Sequence, residues 1–365
     1  MAAKKTTIND IATAAGVSKT TVSRYINGRY DLLSDSARKR VEKAIQLAHY
    51  RPSAVARSLK TQRSYLVGVI VANITTPFAT SLLNGISSGL REGGYVPIFA
   101  DAGDSPDTEQ TLVESLISHQ VDGLIVNTTT SDNPNLISLA NTGTPVVLCD
   151  RYVNDYNFDI AVCPYREPTV ELMEHLHGEG FGRCVLLTQE YENNSPRLAR
   201  YEAFVETDKK LFGATDGSRD TYVVDPWRPA TVAQGVAQLL ADTPEGVPVG
   251  VYATNTVTLI AIFNALVELG FDEHGMVHAA DGHEVRVGLC GPDDWGWAHQ
   301  MGWDWPSSLC GGVTTFETNP YAMGYEAARL MIERIADPMG KKQTRLIPTQ
   351  LRVRRSTQLR EQRVG

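Results

Sequence analysis

Residues 7–28 read TINDIATAAGVSKTTVSRYING. Ile8, Ile11, Ala12 and Ala15 recur at helical spacing, Gly16 interrupts them, and Ser18 is a good N-cap for a second helix that turns Val22 and Ile26 inward. A third helix is predicted after Ser34, with Ala37, Val41, Ala44, Ile45 and Ala48 as a narrow apolar stripe, ending before Pro52. Helix, glycine turn, helix is the helix-turn-helix arrangement, whose second helix enters the major groove of DNA with its N-terminal residues against base edges. Those residues are Lys19 and Thr20, with Arg24 one turn on. Lys and Arg pair with guanine O6 and N7, and Thr bonds a base edge or touches a thymine methyl. Thr21 and Ser23 suit phosphate contacts, and Asn27 completes the set on this helix. The competing account is an ordinary helical subdomain with a charged face.

Charge argues against that account. Residues 1–63 carry thirteen Lys/Arg against four Asp/Glu, a net of +9, whereas 64–365 carry 21 against 38, a net of −17. A basic head on an acidic body indicates that the head meets a polyanion and the body does not. The next segment, Arg51-Pro52-Ser53-Ala54-Val55-Ala56-Arg57-Ser58-Leu59-Lys60, has a break, a capping serine and a turn or two of amphipathic helix. Isolated helices below ~12–15 residues are marginal, so it would order only against a partner. On DNA, Leu59 would act as a wedge in a minor-groove step with Arg57 beside it. Otherwise the segment is a linker with one stray leucine.

Residues 7–28, followed by SARKRVEKAIQLAHYRPSAVARSLKTQRSYLVGVIV over 36–71, resemble the N-terminus of the lactose-repressor (LacI/GalR) family of bacterial transcription regulators. The resemblance places Lys19, Thr20 and Arg24 at base-reading positions and Leu59 at the minor-groove leucine. Weaker similarity continues to about residue 356 and reaches the branch linked to acidic sugars such as 2-keto-3-deoxygluconate through DDWGWA at 293–298.

From Tyr65 short apolar runs alternate with helical patterns: LVGVIV, FATSLLNGISSGL, YVPIFA, TEQTLVESLISH, VDGLIVN, PVVLCD. That rhythm predicts a parallel sheet covered by helices, and its resumption after Pro164 predicts a second α/β lobe enclosing a cleft with the first. Ligands of such sheets sit beyond the carboxyl ends of the strands, which singles out Asn73, Asn127, Asp150, Arg151, Gln189, Asn255 and Asp293. The resemblance specifies this as a periplasmic-binding-protein-like core of two doubly wound lobes. PFATSLLNGI places Phe78 against the effector, VVLCDR matches the segment ending in Asp150 and Arg151, and SPRLARYEAF matches an R-x-x-G-F motif at Arg197, with Arg200 in place of the glycine and Tyr201 in place of the Phe. ATNT keeps Asn255 of an Asn-Asp pair, and CGPDD places Asp293 as a ligand to sugar hydroxyls. Arg151 and Arg197 are candidates to clamp a carboxylate. Trp295, Trp297, Trp303 and Trp305 form either an aromatic wall for a sugar, led by Trp295, or packing of the lobes. The insert FDEHGMVHAADGHE over 271–284 has no recognisable pattern.

The expected organisation is a DNA-binding head over 1–50, a hinge and linker over 51–64, a core over 65–356 and a basic tail over 357–365. Within the core one lobe takes about 65–162 and 318–346, the other about 163–317 and 347–356. No apolar run approaches the ~20 residues of a membrane helix, and MAAKKTTINDIA lacks the apolar stretch of a secretory signal, so a cytoplasmic protein without membrane partners is expected. Five cysteines without a C-x-x-C pair read as core thiols, and neither metal nor cofactor is expected. Gly85-Ile86-Ser87-Ser88-Gly89 has the G-x-S-x-G form of a hydrolase elbow, but it lies inside a helical pattern and not at the strand-to-helix turn that elbow requires. The sequence therefore points to a repressor that binds a palindromic double-stranded DNA operator as a homodimer or tetramer under a sugar or sugar-acid effector. The alternative is a sugar-binding or enzymatic α/β protein without sequence-specific DNA binding.

Overall fold

A computed structural model describes residues 6–50, 63–214, 219–293, 302, 304–309 and 311–359. Arg57, Leu59, Trp295, Trp297, Trp303 and Cys310 lie outside the described residues. The chain divides into two compact units, Met1–Tyr65 and Leu66–Gly365.

In the first unit, helices α1 (Ile8–Ala15), α2 (Lys19–Ile26) and α3 (Asp35–Leu47) pack around Ile11, Ala12, Ala15, Val22, Val41 and Ala44. With helices this short, stability must come from that burial, at roughly 1.5–3 kcal/mol for each large apolar side chain. Capping sets the boundaries. Thr7 and Asp10 form a reciprocal capping box on α1, and Ser18 and Ser34 accept from Thr21 N and Ala37 N. Gly16 ends α1 at φ 59°, a left-handed turn open to glycine without strain.

The second unit contains two sheets. The first has the order β12-β5-β4-β3-β1-β2, all parallel, from β1 (Leu66–Val71), β2 (Val96–Asp101), β3 (Gly123–Val126), β4 (Val146–Cys149), β5 (Asp159–Val162) and β12 (Thr344–Leu346). The second runs β13-β11-β10-β8-β6-β7, from β6 (Arg183–Thr188), β7 (Thr221–Val223), β8 (Val249–Ala253), β10 (Glu284–Asp293), β11 (Thr314–Glu317) and β13 (Gln350–Arg352), with β13 antiparallel to β11. The near-continuous apolar runs of β1, β3, β4, β6 and β8 match strands covered on both faces. The chain crosses from the first sheet to the second after β5, returns through the helix Pro320–Ala336 to β12, and crosses again to β13.

The insert over 271–284 is a hairpin. β9 (Met276–His278) pairs antiparallel with the start of β10, and His283 docks it by Nε2 on the carbonyl of Thr243 at 3.1 Å. The G-x-S-x-G string lies within the helix Pro77–Glu92, where it packs against Pro320–Ala336: a Cβ on Gly85 would lie 2.0 Å from the Tyr321 carbonyl oxygen, and one on Gly324 2.1 Å from that of Leu82. Cys149, Cys163, Cys184 and Cys290 are buried free thiols, and burial pushes Cys149, Cys184 and Cys290 up, so they stay protonated. Trp305 is 3 % exposed in the core of the second sheet, so of the two accounts of the tryptophans this residue follows packing. Among the described residues no helix is long and apolar enough to cross a membrane.

Candidate functional site

In the first unit, Lys19, Thr20 and Arg24 of α2 and its C-cap Asn27 are exposed, while Thr21 and Ser23 are half-buried. The Ser18 and Thr21 hydroxyls bond each other at 2.9 Å, and the Asn27 amide donates to Ser23 O at 2.7 Å, so these groups hold the two ends of α2. Lys19 and Thr20 stand in the first turn, where the N–H groups and the positive end of the helix dipole add to the attraction for phosphate.

In the second unit the carboxyl ends of the strands line a cavity open to solvent. Each sheet has a switch point there, where neighbouring strands send their chains in opposite directions. In the first it lies between β1 and β3, and the Asn127 carboxamide bridges it, accepting from Ala72 N at 3.4 Å and donating to Cys149 O at 3.1 Å. In the second it lies between β6 and β8, and Asn255 Nδ2 donates to Gln189 Oε1 at 2.7 Å. Three helices begin at the cavity wall. Thr76 caps Pro77–Glu92, Asn194 caps Ser195–Leu211, and Asn255 caps Thr256–Glu268. Their N-terminal dipoles make the cavity favourable to an anion.

Among the described residues, three arginines and two aspartates line it: Arg151, Arg197, Arg200, Asp104 and Asp150. Arg197 donates to Glu190 O and Gln189 Oε1, both at 2.9 Å, and burial together with neighbouring Arg151 pushes its guanidinium down to about 10. Arg151 donates to Thr128 O at 2.9 Å. Thr128 is held in turn by Glu109, a buried carboxylate that also takes Thr129 N and the Asn133 amide. Asp150, at φ 68°, accepts from Tyr165 Oη and from Asn127 Nδ2 at 3.3 Å. Tyr165 is raised well above the usual tyrosine range by burial and by Asp150, so its hydroxyl keeps its proton. Phe78, Tyr165 and Trp227 supply aromatic wall, with Trp227 56 % exposed.

Thus Phe78, Asn127, Asp150, Arg151, Arg197 and Asn255 come together around one cavity, with Asn73 and Gln189 beside them. Asp293 does not join its described lining. At 1 % exposure it accepts from the Trp305 indole at 2.8 Å, because the short helix Trp305–Ser308 packs over the end of β10. Asp104, Tyr165, Asn194 and Trp227 line the cavity without having been singled out from the sequence. Asp104, Tyr165 and Trp227 come a few residues after the carboxyl ends of β2, β5 and β7.

A fold of this kind, a helix-turn-helix unit with a two-sheet ligand-binding unit, is that of a ligand-responsive DNA-binding regulator. Residues 7–53 match the model of bacterial regulatory proteins of the lacI family, 64–271 that of periplasmic binding proteins and sugar binding domain of LacI family, and 304–357 a periplasmic binding protein-like domain. The chain belongs to the LacI family. The interval 272–303, between those matches, holds most of the β9 hairpin and the start of the tryptophan-rich segment. Similar proteins include the HTH-type transcriptional regulators KdgR of Bacillus subtilis and PtxS of Pseudomonas putida, each 29 % identical and each covering 97 % of its own length, over 96 % and 97 % of this chain. Among solved structures, the lac repressor dimer bound to operator and the anti-inducer ONPF superposes with a TM-score of 0.78 at 21 % identity over 97 % of this chain and 99 % of that one. The CelR–cellobiose complex does so at 0.66 and 22 %, over 96 % and 100 %.

Proposed function

We propose that this regulator is a cytoplasmic repressor that binds a palindromic operator as a homodimer through Lys19, Thr20 and Arg24, and that a sugar acid in the core cavity sets its DNA affinity. The observation that carries the acid is the convergence of three arginines and three helix N-termini on one cavity against two aspartates among the described residues, both already engaged, Asp150 by Tyr165 and Asn127 and Asp104 by Asn73. A carboxylate in that field gains what a neutral sugar does not. KdgR and PtxS as relatives fit the acidic-sugar branch suggested by DDWGWA. Arg151 and Arg197 are the proposed carboxylate donors, Asn127 and Asn255 hydroxyl ligands, and Phe78 an apolar wall. The effector acts by binding one conformation of the core more tightly than another, which changes DNA affinity by the ratio of the two.

The test is selection of the full chain on a random DNA pool, followed by titration of the selected duplex with 2-keto-3-deoxygluconate, gluconate and glucose. A palindromic site whose binding an acid alters and glucose does not is the expected outcome. Arg24→Ala should cost about 1–3 kcal/mol on that site, and binding should fall steeply with salt. Enrichment of no sequence would refute operator recognition, and a response to glucose alone would refute the acid.

A further inference from the structure

We infer that Arg200 determines the preference of this cavity for an acidic over a neutral sugar, acting with Arg197 as the second half of a guanidinium pair. The inference rests on the sugar-acid reading above and names the residue that enforces it. Arg197 and Arg200 are three residues apart on the helix Ser195–Leu211, so they share a face, and both line the cavity. Arg200 stands where the R-x-x-G-F motif has glycine, so its charge is an addition of this chain to the pattern it resembles.

Its surroundings orient it. The guanidinium carbon lies 4.3 Å from the centroid of the Tyr165 ring and 5.9 Å from that of Phe316, and the residue is 6 % exposed. A buried guanidinium packed against two aromatic rings has already lost much of its rotamer freedom, which lowers the entropy lost when it meets a carboxylate. Tyr165 is itself fixed, because its hydroxyl donates to Asp150. Aromatic ring, aspartate and arginine therefore form one unit, and Asp150 is committed within it.

Charge explains the selectivity. Burial, Arg151 and Arg200 act on Arg197 in the direction of losing its proton, and Asp104 and Asp150 act against them. An incoming carboxylate offsets the repulsion between these arginines, whereas a neutral sugar of the same size leaves the buried Arg200 and the half-buried Arg151 and Arg197 facing two aspartates among the described residues. Discrimination then comes from the uncompensated charge the neutral ligand leaves behind as well as from the contact the acid gains.

The experiment is calorimetric titration of the full chain and of Arg200→Gln and Arg200→Lys with 2-keto-3-deoxygluconate, gluconate and glucose, alongside each variant's thermal transition. The unchanged chain should bind at least one acid more tightly than glucose. Arg200→Gln should weaken that acid by about 10–100-fold while moving glucose affinity less than about threefold, so the ratio collapses. Arg200→Lys keeps the charge without the planar fork and should fall between. An acid-to-glucose ratio unchanged in both variants overturns the role of Arg200 and leaves the sugar-acid reading standing. Failure of the unchanged chain to bind either acid overturns both. If Arg200→Gln does not fold, the ratio in Arg200→Lys decides alone, a fall supporting the inference and an unchanged value refuting it.

Discussion

The hydroxyl of Tyr165 donates to the carboxylate of Asp150, joining the residue after β4 of the first sheet to the residue that opens the helix Arg166–Glu179 leading into the second. Asp150 is 8 % exposed and Tyr165 7 %, so the bond lies between two groups removed from water. Two further hydrogen bonds cross nearby, from Tyr152 N to Ser195 Oγ at 3.0 Å and from Ser131 N to Asn193 O at 3.1 Å. The junction between the lobes is thus fastened beside Arg197, where a ligand would act on it.

Removing the hydroxyl alone isolates that bond. Tyr165→Phe keeps the ring beneath Arg200 and takes one donor from a buried carboxylate, a loss of about 1.5–3 kcal/mol. Urea unfolding of the full chain should show that decrease. A change below ~0.5 kcal/mol would mean the bond adds nothing net.

Asp208, near the end of the same helix that carries Arg197 and Arg200, is 1 % exposed, and burial raises its carboxyl from 3.8 to about 7, with Asp220 adding to the rise and Arg183 opposing it. Arg183 is committed to Asp220, Tyr222 and Thr243. The folded chain therefore holds a proton that the unfolded chain releases, so this group's contribution is most favourable below about pH 4, declines as pH rises and levels off above about pH 7. Asp208→Asn should remove that decline, stabilising the protein at pH 8 by something on the order of 1–3 kcal/mol relative to pH 4. Thermal unfolding from pH 4 to 8 measures it, and parallel profiles for the two proteins would exclude the effect.

The G-x-S-x-G string yields a test that separates packing from chemistry. Gly324→Ala or Gly85→Ala pushes a Cβ into a backbone carbonyl across the contact between Pro77–Glu92 and Pro320–Ala336, so the helices must part. Each should cost at least about 1–3 kcal/mol in denaturant unfolding. Ser87→Ala, whose half-buried hydroxyl accepts a 3.4 Å bond from Arg91, should stay within ~0.5 kcal/mol. A large loss at Ser87 with tolerance at Gly324 would reverse the assignment.

Much of the site was legible because the carboxyl ends of parallel strands are where βα connections open, and strand ends are visible as the edges of apolar runs. Asn73, Asn127, Asp150, Arg151, Gln189 and Asn255 were reached that way, while Phe78 and Arg197 needed the resemblance as well. Trp227 was not, because TYVVD is a short run followed by Pro226 and its continuation reads as loop. Tyr165 was not, because nothing near it in sequence marks a tyrosine whose partner is Asp150. Asp293 was placed at the end of its strand, but its partner is an indole twelve positions on, which no local pattern specifies.

Periodicity, caps and charge segregation are properties of neighbours along the chain, and they determined the three-helix head, the βα alternation and the basic and acidic halves. The tertiary structure decided what depends on residues far apart. β12 pairs with β5 and β13 with β11, and Arg334 reaches across 175 positions to neutralise Asp159, because short strands and buried charges are stable only where distant segments complete them. The same holds at the cavity. Asp150 and Arg200 are joined there by Tyr165, which meets the carboxylate through its hydroxyl and the guanidinium through its ring, since burial makes a polar group depend on whatever partner the fold brings to it.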